Sequence, residues 1–287
     1  MQIVTDCGVE TLPSEIKGIK IHYIPLPITI DGKIYLSRVN ITSDEFYDMQ
    51  ENALEIPTTS QPSPGDFKNL YKKLAKEDPD ILSIHMSSGF SGTINAARVG
   101  ARAVPEANVE FYDTKAVSAA EAWHVEMAAK AIGAGWDKPR ILSMLKQVSE
   151  ATDSLFTIST LKYLAYGGRI SHLKALIAST LSIKPIIGID KGTGKTIIRG
   201  KERTMPNAID KIVDIIGAIY PPGTPMRTQA GHTQYPEGAD RLQEKLDTMF
   251  ECTWLPKGQI EPFLGAHVGK GFVGVVFAPK ALFPKIP

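Results

Sequence analysis

Short apolar runs alternate with longer amphipathic stretches through the first half of the chain. The run 81–86 is almost wholly apolar, which predicts a buried strand, and apolar positions three and four residues apart in 67–74 predict a helix. Strands that alternate with helices of this length indicate βαβ units and a parallel sheet. Pro25 and Pro27 place part of 20–34 at a sheet edge or in a loop. The predicted strands span 2–5, 81–86, 109–112 and 154–159, with strands and an irregular hairpin in 20–34, and the predicted helices span 42–52, 63–74, 92–97, 117–133 and 139–149.

The second half of the chain mixes hairpins with helices, which predicts an α+β arrangement. Apolar residues at 183–189 and 196–199 flank the glycine-rich segment 191–195, a pattern typical of a hairpin. We therefore predict an α/β fold of two domains with a ligand cleft between them. Residues 1–157 form a mostly parallel βαβ sheet domain, and residues 158–287 form an α+β domain. Further helices are predicted at 171–181, 207–219 and 238–249, and further strands at 226–232 and 272–277.

Two turns rich in hydroxyl groups, 58–64 and 87–93, stand where predicted strands end and helices begin. Ser63, Pro64 and Asp66 fit a capping box at the start of the first of these helices. Free backbone N–H groups and the positive end of a helix dipole also make such a turn an anion site. Because Ser and Thr are the preferred helix caps as well, the sequence leaves both interpretations open.

Composition and charge narrow the classes of function. Hydrophobic residues make up 43% and charged residues 22%, and the net charge of +1 gives no basic field for nucleic acid or an anionic membrane. Cys7 and Cys252 are far apart and, like the six His, show no metal-ligand spacing. The acidic residue Asp6 interrupts the amino terminus before the apolar region of a signal peptide could develop, so we expect no signal peptide. The apolar stretch 173–189 is too short and too interrupted to span a bilayer. We expect a soluble protein of the cytoplasm that binds no metal.

Several motifs of known enzymes are incomplete in this chain. Residues 192–196 resemble the end of a phosphate-binding P-loop, but Ile189 stands where the first glycine is required and strand-like residues follow. We therefore predict a hairpin turn that does not bind ATP. Residues 171–174 fit Ser-x-x-Lys without its companion motifs, and 89–93 miss the hydrolase pattern Gly-x-Ser-x-Gly by one position. The near miss keeps a serine hydrolase as an alternative.

Three polar residues are candidates for a shared site. His267 is flanked by glycines in a predicted loop, and Thr59 and Ser91 lie in the two hydroxyl-rich turns. Gathered in one cleft, they would form a cluster of hydrogen-bond donors suited to a carboxylate. Ser91 with His267 as its base would instead make a serine hydrolase or acyltransferase. A donor site without room for an acyl tail would belong to a small-anion sensor or storage protein.

Taken together, these motifs resemble the DegV family, which includes the fatty-acid-binding subunit of bacterial fatty acid kinase. The resemblance runs nearly end to end and keeps the order and spacing of the family's motifs. It rests on segments 5–8, 59–64, 88–93, 161–164, 167–170, 184–186 and 265–269.

The resemblance implies a two-domain α/β protein that buries one long-chain fatty acid. It places the acyl carboxylate among Thr59, Ser91 and His267. Their neighbours in the two turns complete the expected binding set, which is Thr59, Ser60, Ser91, Gly92, Thr93 and His267. No residue of this chain is expected to be catalytic, and the fatty acid is expected to be its ligand without any cofactor.

The resemblance also implies a protein partner. In the family, a separate ATP-dependent kinase subunit phosphorylates the carboxylate to an acyl phosphate, which is a precursor for phospholipid synthesis. Arg169 falls on the family's arginine after Gly-Gly, which is associated with presenting the ligand to that kinase. Cys7, Gly8 and Lys270 depart from the residues that members more often carry, and Lys270 adds a charge near the expected carboxylate mouth.

Overall fold

A computed structural model describes residues 1–10, 12–170 and 183–286 of the chain. It contains a five-stranded sheet in the first half, a seven-stranded sheet in the second half and a small three-stranded sheet. The predicted mixed α/β class with two main sheets is confirmed. The helix predicted at 171–181 lies outside the described residues.

The five-stranded sheet is mostly parallel, as predicted. Strands β1, β3, β7 and β8 pair in parallel, and the short β2 adds to β3 in the antiparallel sense, giving the order β2-β3-β1-β7-β8. The strand predicted from the apolar run 81–86 is the buried β7. The bounds are β1 Gln2–Asp6, β2 Glu15–Ile16, β3 Ile19–Ile24, β7 Asp80–His85 and β8 Asn108–Asp113.

Helices cover both faces of this sheet. In β1, Ile3 belongs to the core beneath the helices 119–133 and 138–151, whereas Val4 packs with the helices 64–74 and 93–102. Successive strand residues point to opposite faces, and parallel sheets are normally buried on both. The helices of this half are Ser43–Asn52, Pro64–Leu74, Thr93–Arg102, Ala119–Gly133 and Lys138–Ala151.

The small sheet holds the first hydroxyl-rich turn. Strand β4 (Pro27–Ile30) pairs with β5 (Lys33–Leu36) on one side and with β6 (Thr58–Thr59) on the other. The expectation that the prolines place part of 20–34 at an edge or in a loop is confirmed for Pro25, which lies between strands, whereas Pro27 begins the central strand of the small sheet. A proline is tolerated at the first position of a strand because no donor is needed there.

The seven-stranded sheet contains the predicted hairpin, in which β10 and β11 pair antiparallel. Its order is β11-β10-β9-β15-β12-β13, with β14 also paired to β12. Helices Met205–Ile219 and Pro236–Asp247 pack against one face. The bounds are β9 Asp153–Thr157, β10 Lys184–Ile189, β11 Thr196–Glu202, β12 Pro225–His232, β13 Glu251–Trp254, β14 Gly258–Gln259 and β15 Val273–Pro279.

The two main sheets share a core. The helix Ala119–Gly133 packs against Ile3 and Leu82 of the first sheet and against Val276 of the second. Strand β9 pairs with β10 and β15, so it lies in the second sheet although it precedes residue 158; the division at 157/158 stays a prediction. Within the described part of the chain, no helix combines the length and the apolar character needed to cross a membrane.

Candidate functional site

Thr59 and His267 are joined by a hydrogen bond, with 2.7 Å between Thr59 Oγ1 and His267 Nε2. Thr59 is held by its pairing with Ile28 across the small sheet. His267 comes from the opposite end of the sequence, on the short helix Pro262–Val268. The structure therefore brings together two of the residues that the sequence nominated.

The expectation that His267 lies in a loop was wrong, because it occupies the last turn of a helix. Pro262 starts that helix and Gly269, with a φ of 67°, ends it. The helix is tied to Ser43–Asn52 by the amide of Gln50, which donates to the Gly265 carbonyl at 3.2 Å. Gly265 is needed for this close packing, since a Cβ there would lie 2.5 Å from the hydroxyl of Tyr47. Its role is thus close approach between two helices, which the sequence pattern did not distinguish from a loop.

The His267 ring is buried and electrically neutral. Burial, with a smaller contribution from the charge of Arg169, lowers its pKa to about 4. Its Nδ1 has no hydrogen-bond partner among the described residues, although buried polar atoms are normally paired. Gly167 lies against the same edge of the ring, where a Cβ would be 2.3 Å from Nδ1. The imidazole is therefore fixed in position by Gly167 at Nδ1 and by the Thr59 hydroxyl at Nε2.

Ser91 and Thr93 form a second hydroxyl pair, with 2.8 Å between Ser91 Oγ and Thr93 Oγ1. Both residues are buried. The turn is closed by the backbone N–H groups of Phe90 and Ser91, which both donate to the Ser87 carbonyl. A Cβ at Gly92 would lie 1.9 Å from Oε1 of Gln61, so the two hydroxyl-rich turns lie against each other.

The two turns differ in what occupies the start of the following helix. Ser63 and Asp66 form the predicted capping box on the helix 64–74, so at this position the capping interpretation is confirmed. The helix 93–102 has Gly92 at its N-cap, which has no side chain to cap it, and the backbone N–H of Thr93 donates to Ser91 Oγ at 3.3 Å. Its first turn has no acidic residue, so the positive end of the helix dipole there favours an anion.

Ser60 and Arg169, the remaining nominated residues, differ in their exposure to solvent. Ser60 is exposed, and its backbone N–H donates to the Pro27 carbonyl at 3.1 Å. Arg169 is half-buried, and its guanidinium donates to the carbonyls of Phe90, at 3.3 Å, and Gly167, at 2.6 Å. Burial lowers the pKa of Arg169. These contacts place Arg169 between the second turn and His267, and its role toward a partner stays a prediction.

A cavity with mostly apolar walls lies between the two main sheets, and Arg169 and His267 are the nominated residues that line it. Arg169, His267 and Phe90 line it together with residues of β9, β12 and β15. Much of its wall comes from large apolar side chains, which include Phe156, Leu164, Ile260, Phe263, Phe272 and Val275. A mostly apolar cavity with a few convergent polar groups is the usual form of a small-molecule site.

The geometry does not supply the pair that a serine hydrolase needs. Ser91 bonds to Thr93, whereas His267 bonds to Thr59. The glycine-rich segment that resembles a P-loop is the turn of the β10–β11 hairpin, as predicted, and its Gly194 carbonyl accepts a hydrogen bond from Ser87 at 2.7 Å. Within the described ranges, no group of three or more His, Cys, Asp or Glu is arranged to hold a metal ion.

Several residues of the site escaped the sequence analysis. Gln61 and Phe90 sit inside the two nominated turns, but nothing in their type indicated contact with the other turn or with Arg169. Gly167 is the C-cap of the helix Lys162–Tyr166 and also packs on His267, a contact that its type does not indicate. Glu10 lines the cavity from the turn after β1. The contacts of these four residues join distant parts of the chain. Only the position of the residues next to recognised motifs could have indicated that they belong to the site.

Two of the departures from the family pattern have a structural account. Cys7 is buried, and burial raises the pKa of its thiol to about 12, so it is unreactive at neutral pH. The ammonium of Lys270 forms an ion pair with Glu51. Its charge is therefore balanced locally.

Comparisons with known proteins agree with this architecture. A family model described as "Uncharacterised protein, DegV family" matches residues 1–280. A DegV domain-containing protein of Listeria innocua is 31% identical over 280 residues, covering 97% of this chain and 98% of the relative. A DegV family protein from Thermus thermophilus, described by its fatty acid binding, superposes with a TM-score of 0.85 at 26% identity, covering 97% of this chain and 99% of that chain. DegV from Bacillus subtilis, described as a fatty acid binding protein, gives 0.82 at 28% identity with coverage of 97% and 99%. Because the family match spans nearly the whole sequence, this chain belongs to the DegV family.

Proposed function

We propose that this chain binds one long-chain fatty acid and holds its carboxylate for phosphorylation by a separate, ATP-dependent kinase subunit. The observation that carries the proposal is the apolar cavity whose lining includes the buried, neutral His267 and the half-buried Arg169. Solved relatives described as fatty-acid-binding proteins, at 26% and 28% identity, support the same ligand class.

The carboxylate is assigned to the space bordered by the two hydroxyl-rich turns and His267. An anion there is favoured by the hydroxyls of Thr59, Ser91 and Thr93 and by the start of the helix 93–102, which has no acidic residue in its first turn. Ser60 and Gly92 contribute the backbone of the two turns. Arg169 adds a positive charge beside the same space.

The tail supplies most of the affinity in this proposal. Burial of an alkyl chain contributes about 0.8 kcal/mol per methylene, so the polar end chiefly fixes the orientation of the ligand. The extent of apolar wall favours an acyl chain over a small anion, for which such a wall has no use.

The kinase partner follows from what this chain lacks in sequence. It carries no complete P-loop, so a fatty acid held here would need ATP brought by another protein. The family resemblance names that protein as the kinase subunit and assigns Arg169 to its docking. The product, an acyl phosphate, would enter phospholipid synthesis.

The ligand is tested by native mass spectrometry of the purified protein, followed by solvent extraction and lipid identification. We expect one fatty acid per chain. A lipid-free protein that also fails to take up added fatty acid would refute the assignment.

The head-group residues are tested with Thr59→Val and Ser91→Ala. Each should weaken fatty acid binding and lower acyl phosphate formation when the kinase and ATP are supplied, because each removes a hydroxyl from the proposed carboxylate site. Ser63→Ala is the matched control. It removes a hydroxyl from the first turn that only caps a helix, so it should lower stability by about 1 kcal/mol and leave both activities intact. Full binding and turnover in Thr59→Val and Ser91→Ala would show that the assigned roles are wrong.

A further inference from the structure

A second polar group lies in the wall of the same cavity. Glu10, in the turn after β1, is 6% exposed and lines the cavity beside Ser118. Its Oε2 accepts a hydrogen bond from Ser118 Oγ at 3.1 Å. Neither residue contacts Thr59, Ser91 or His267 through a hydrogen bond in the described ranges. A buried carboxyl in a wall made for an alkyl chain therefore has no part in holding the head group.

The surrounding backbone is built to keep this carboxyl in place. Ser118 has a φ of 56° and a ψ of −131°, a conformation that residues other than glycine rarely adopt. Its backbone N–H donates to the Gly8 carbonyl at 3.2 Å. Although Ser118 precedes the helix Ala119–Gly133, its hydroxyl bonds to Glu10 and does not cap that helix. At Gly258, a Cβ would lie 1.6 Å from Glu10 Oε1, so only glycine leaves room for the carboxyl.

The charge state of Glu10 determines which ligand group it suits. Burial raises its pKa to about 7, against the opposing effect of the Ser118 hydrogen bond. The nearby cation, Arg38, is engaged by Glu261 at 2.8 Å and by the Val9 carbonyl at 2.6 Å. The uncharged form is thus well populated at neutral pH, and a protonated carboxyl both donates and accepts hydrogen bonds. Such a group matches an uncharged hydroxyl better than an amine.

We propose that Glu10 and Ser118 bind a hydroxyl group carried on the acyl tail, so that the cavity prefers hydroxylated fatty acids to plain ones of the same length. The inference rests on the proposed fatty acid function and specifies its ligand class. The methylenes of a plain tail form no hydrogen bonds with the Glu10 carboxyl against which they pack. Burying a polar group without such a compensating bond is unfavourable in free energy. A hydroxyl at the matching carbon donates to one oxygen of the pair and accepts from the other.

The test measures dissociation constants of delipidated full-length protein for stearic acid and for hydroxystearic acids with the hydroxyl at successive positions from mid-chain to the tail end. We expect at least one position to bind about 3- to 10-fold more tightly than stearic acid, the gain typical of one added hydrogen bond. Equal or weaker binding at every position would overturn the inference. If stearic acid itself does not bind, the proposed function fails instead, so the two failures are distinguishable.

Two variants locate the preference. Glu10→Gln keeps a donor and an acceptor, and should keep the preference for the hydroxylated ligand. Glu10→Met, of similar volume, should abolish that preference and tighten binding of stearic acid. Thr196→Val is the matched control, since it removes a different hydroxyl from the cavity wall and should keep the preference. If the preference for the hydroxylated ligand persisted in Glu10→Met, or were lost equally in Thr196→Val, Glu10 would not be the group that binds the hydroxyl. Urea unfolding of each variant confirms that it is folded.

Discussion

Replacing Gly167 with alanine should disable the Thr59–His267 pair without straining the backbone. Gly167 has ordinary right-handed helical angles, with a φ of −71°. The added Cβ would lie 2.3 Å from His267 Nδ1, whereas ordinary contact begins at 3.4 Å, so the ring must move by the difference of 1.1 Å. The Thr59–His267 hydrogen bond measures 2.7 Å, and such bonds weaken beyond about 3.2 Å. A displacement of 1.1 Å directly away from Thr59 would lengthen the pair from 2.7 Å to 3.8 Å, and a displacement in another direction would change its hydrogen-bond angle.

The expected loss of affinity follows from the hydrogen bonds involved. A hydrogen bond to a charged group contributes about 1.5–3 kcal/mol, so Gly167→Ala should weaken fatty acid binding by about 10- to 150-fold. The assay is displacement of a fluorescent fatty acid from delipidated protein. In a His267→Ala background the same substitution should have little further effect, because the ring that it displaces is already gone.

Gly168 provides a matched control one residue away. It has a φ of 73°, and a Cβ there meets nothing within 4 Å. Gly168→Ala should therefore lower the free energy of unfolding by about 1–2 kcal/mol through backbone strain and leave affinity intact. Wild-type affinity in Gly167→Ala would show that Gly167 does not hold the His267 ring in place. An equally large loss in the His267→Ala background would show that the substitution acts on something other than that ring.

Two further predictions concern protonation. Because the pKa of Glu10 rises from 4.5 to about 7 on folding, wild-type stability relative to Glu10→Gln should fall by about 3 kcal/mol as pH rises from 4.5 to 8; urea unfolding across this range measures it, and a flat difference would contradict it. The pKa of His267 is lowered from 6.5 to about 4, so its contribution to stability is present above pH 6.5 and is lost as pH falls through 4. Its imidazole nitrogens, assigned in NMR with His267→Gln, should titrate near pH 4, and a midpoint near 6.5 would disprove burial of the neutral ring.

Local chemistry made much of the fold predictable from the sequence. The helix predicted from Thr42, the capping box at Ser63, the hairpin around 191–195 and the buried strand at 81–86 each depend on residues within a few positions of one another. The stability of these local elements depends on nearby side chains and turns, so the structure contains them as predicted. A local pattern does not specify which sheet a strand joins, because its partners lie far along the chain. Strand β9, for example, pairs with β10 and β15.

Glycine was the least informative residue type for the site. Gly265 and Gly269 suggested a loop around His267, but the first allows a close approach to Tyr47 and the second ends a helix. Gly167 and Gly168 are adjacent, yet one makes space for an imidazole and the other supplies a positive φ. Both roles are filled by glycine, so the sequence does not distinguish them. The structure shows which glycines leave room for a neighbouring group and which adopt a positive φ.

The two hydroxyl-rich turns show what does separate a cap from a binding site. Their compositions are similar, but the first helix has Ser63 at its start and Asp66 three positions later, whereas the second has Gly92 and Asn95. The Asp66 carboxylate accepts hydrogen bonds from the backbone N–H and the hydroxyl of Ser63. A helix start that already carries a carboxylate repels an anionic ligand. The helix 93–102 has no acidic residue in its first turn, so no charge of its own opposes an anion there, and the positive end of its dipole favours one.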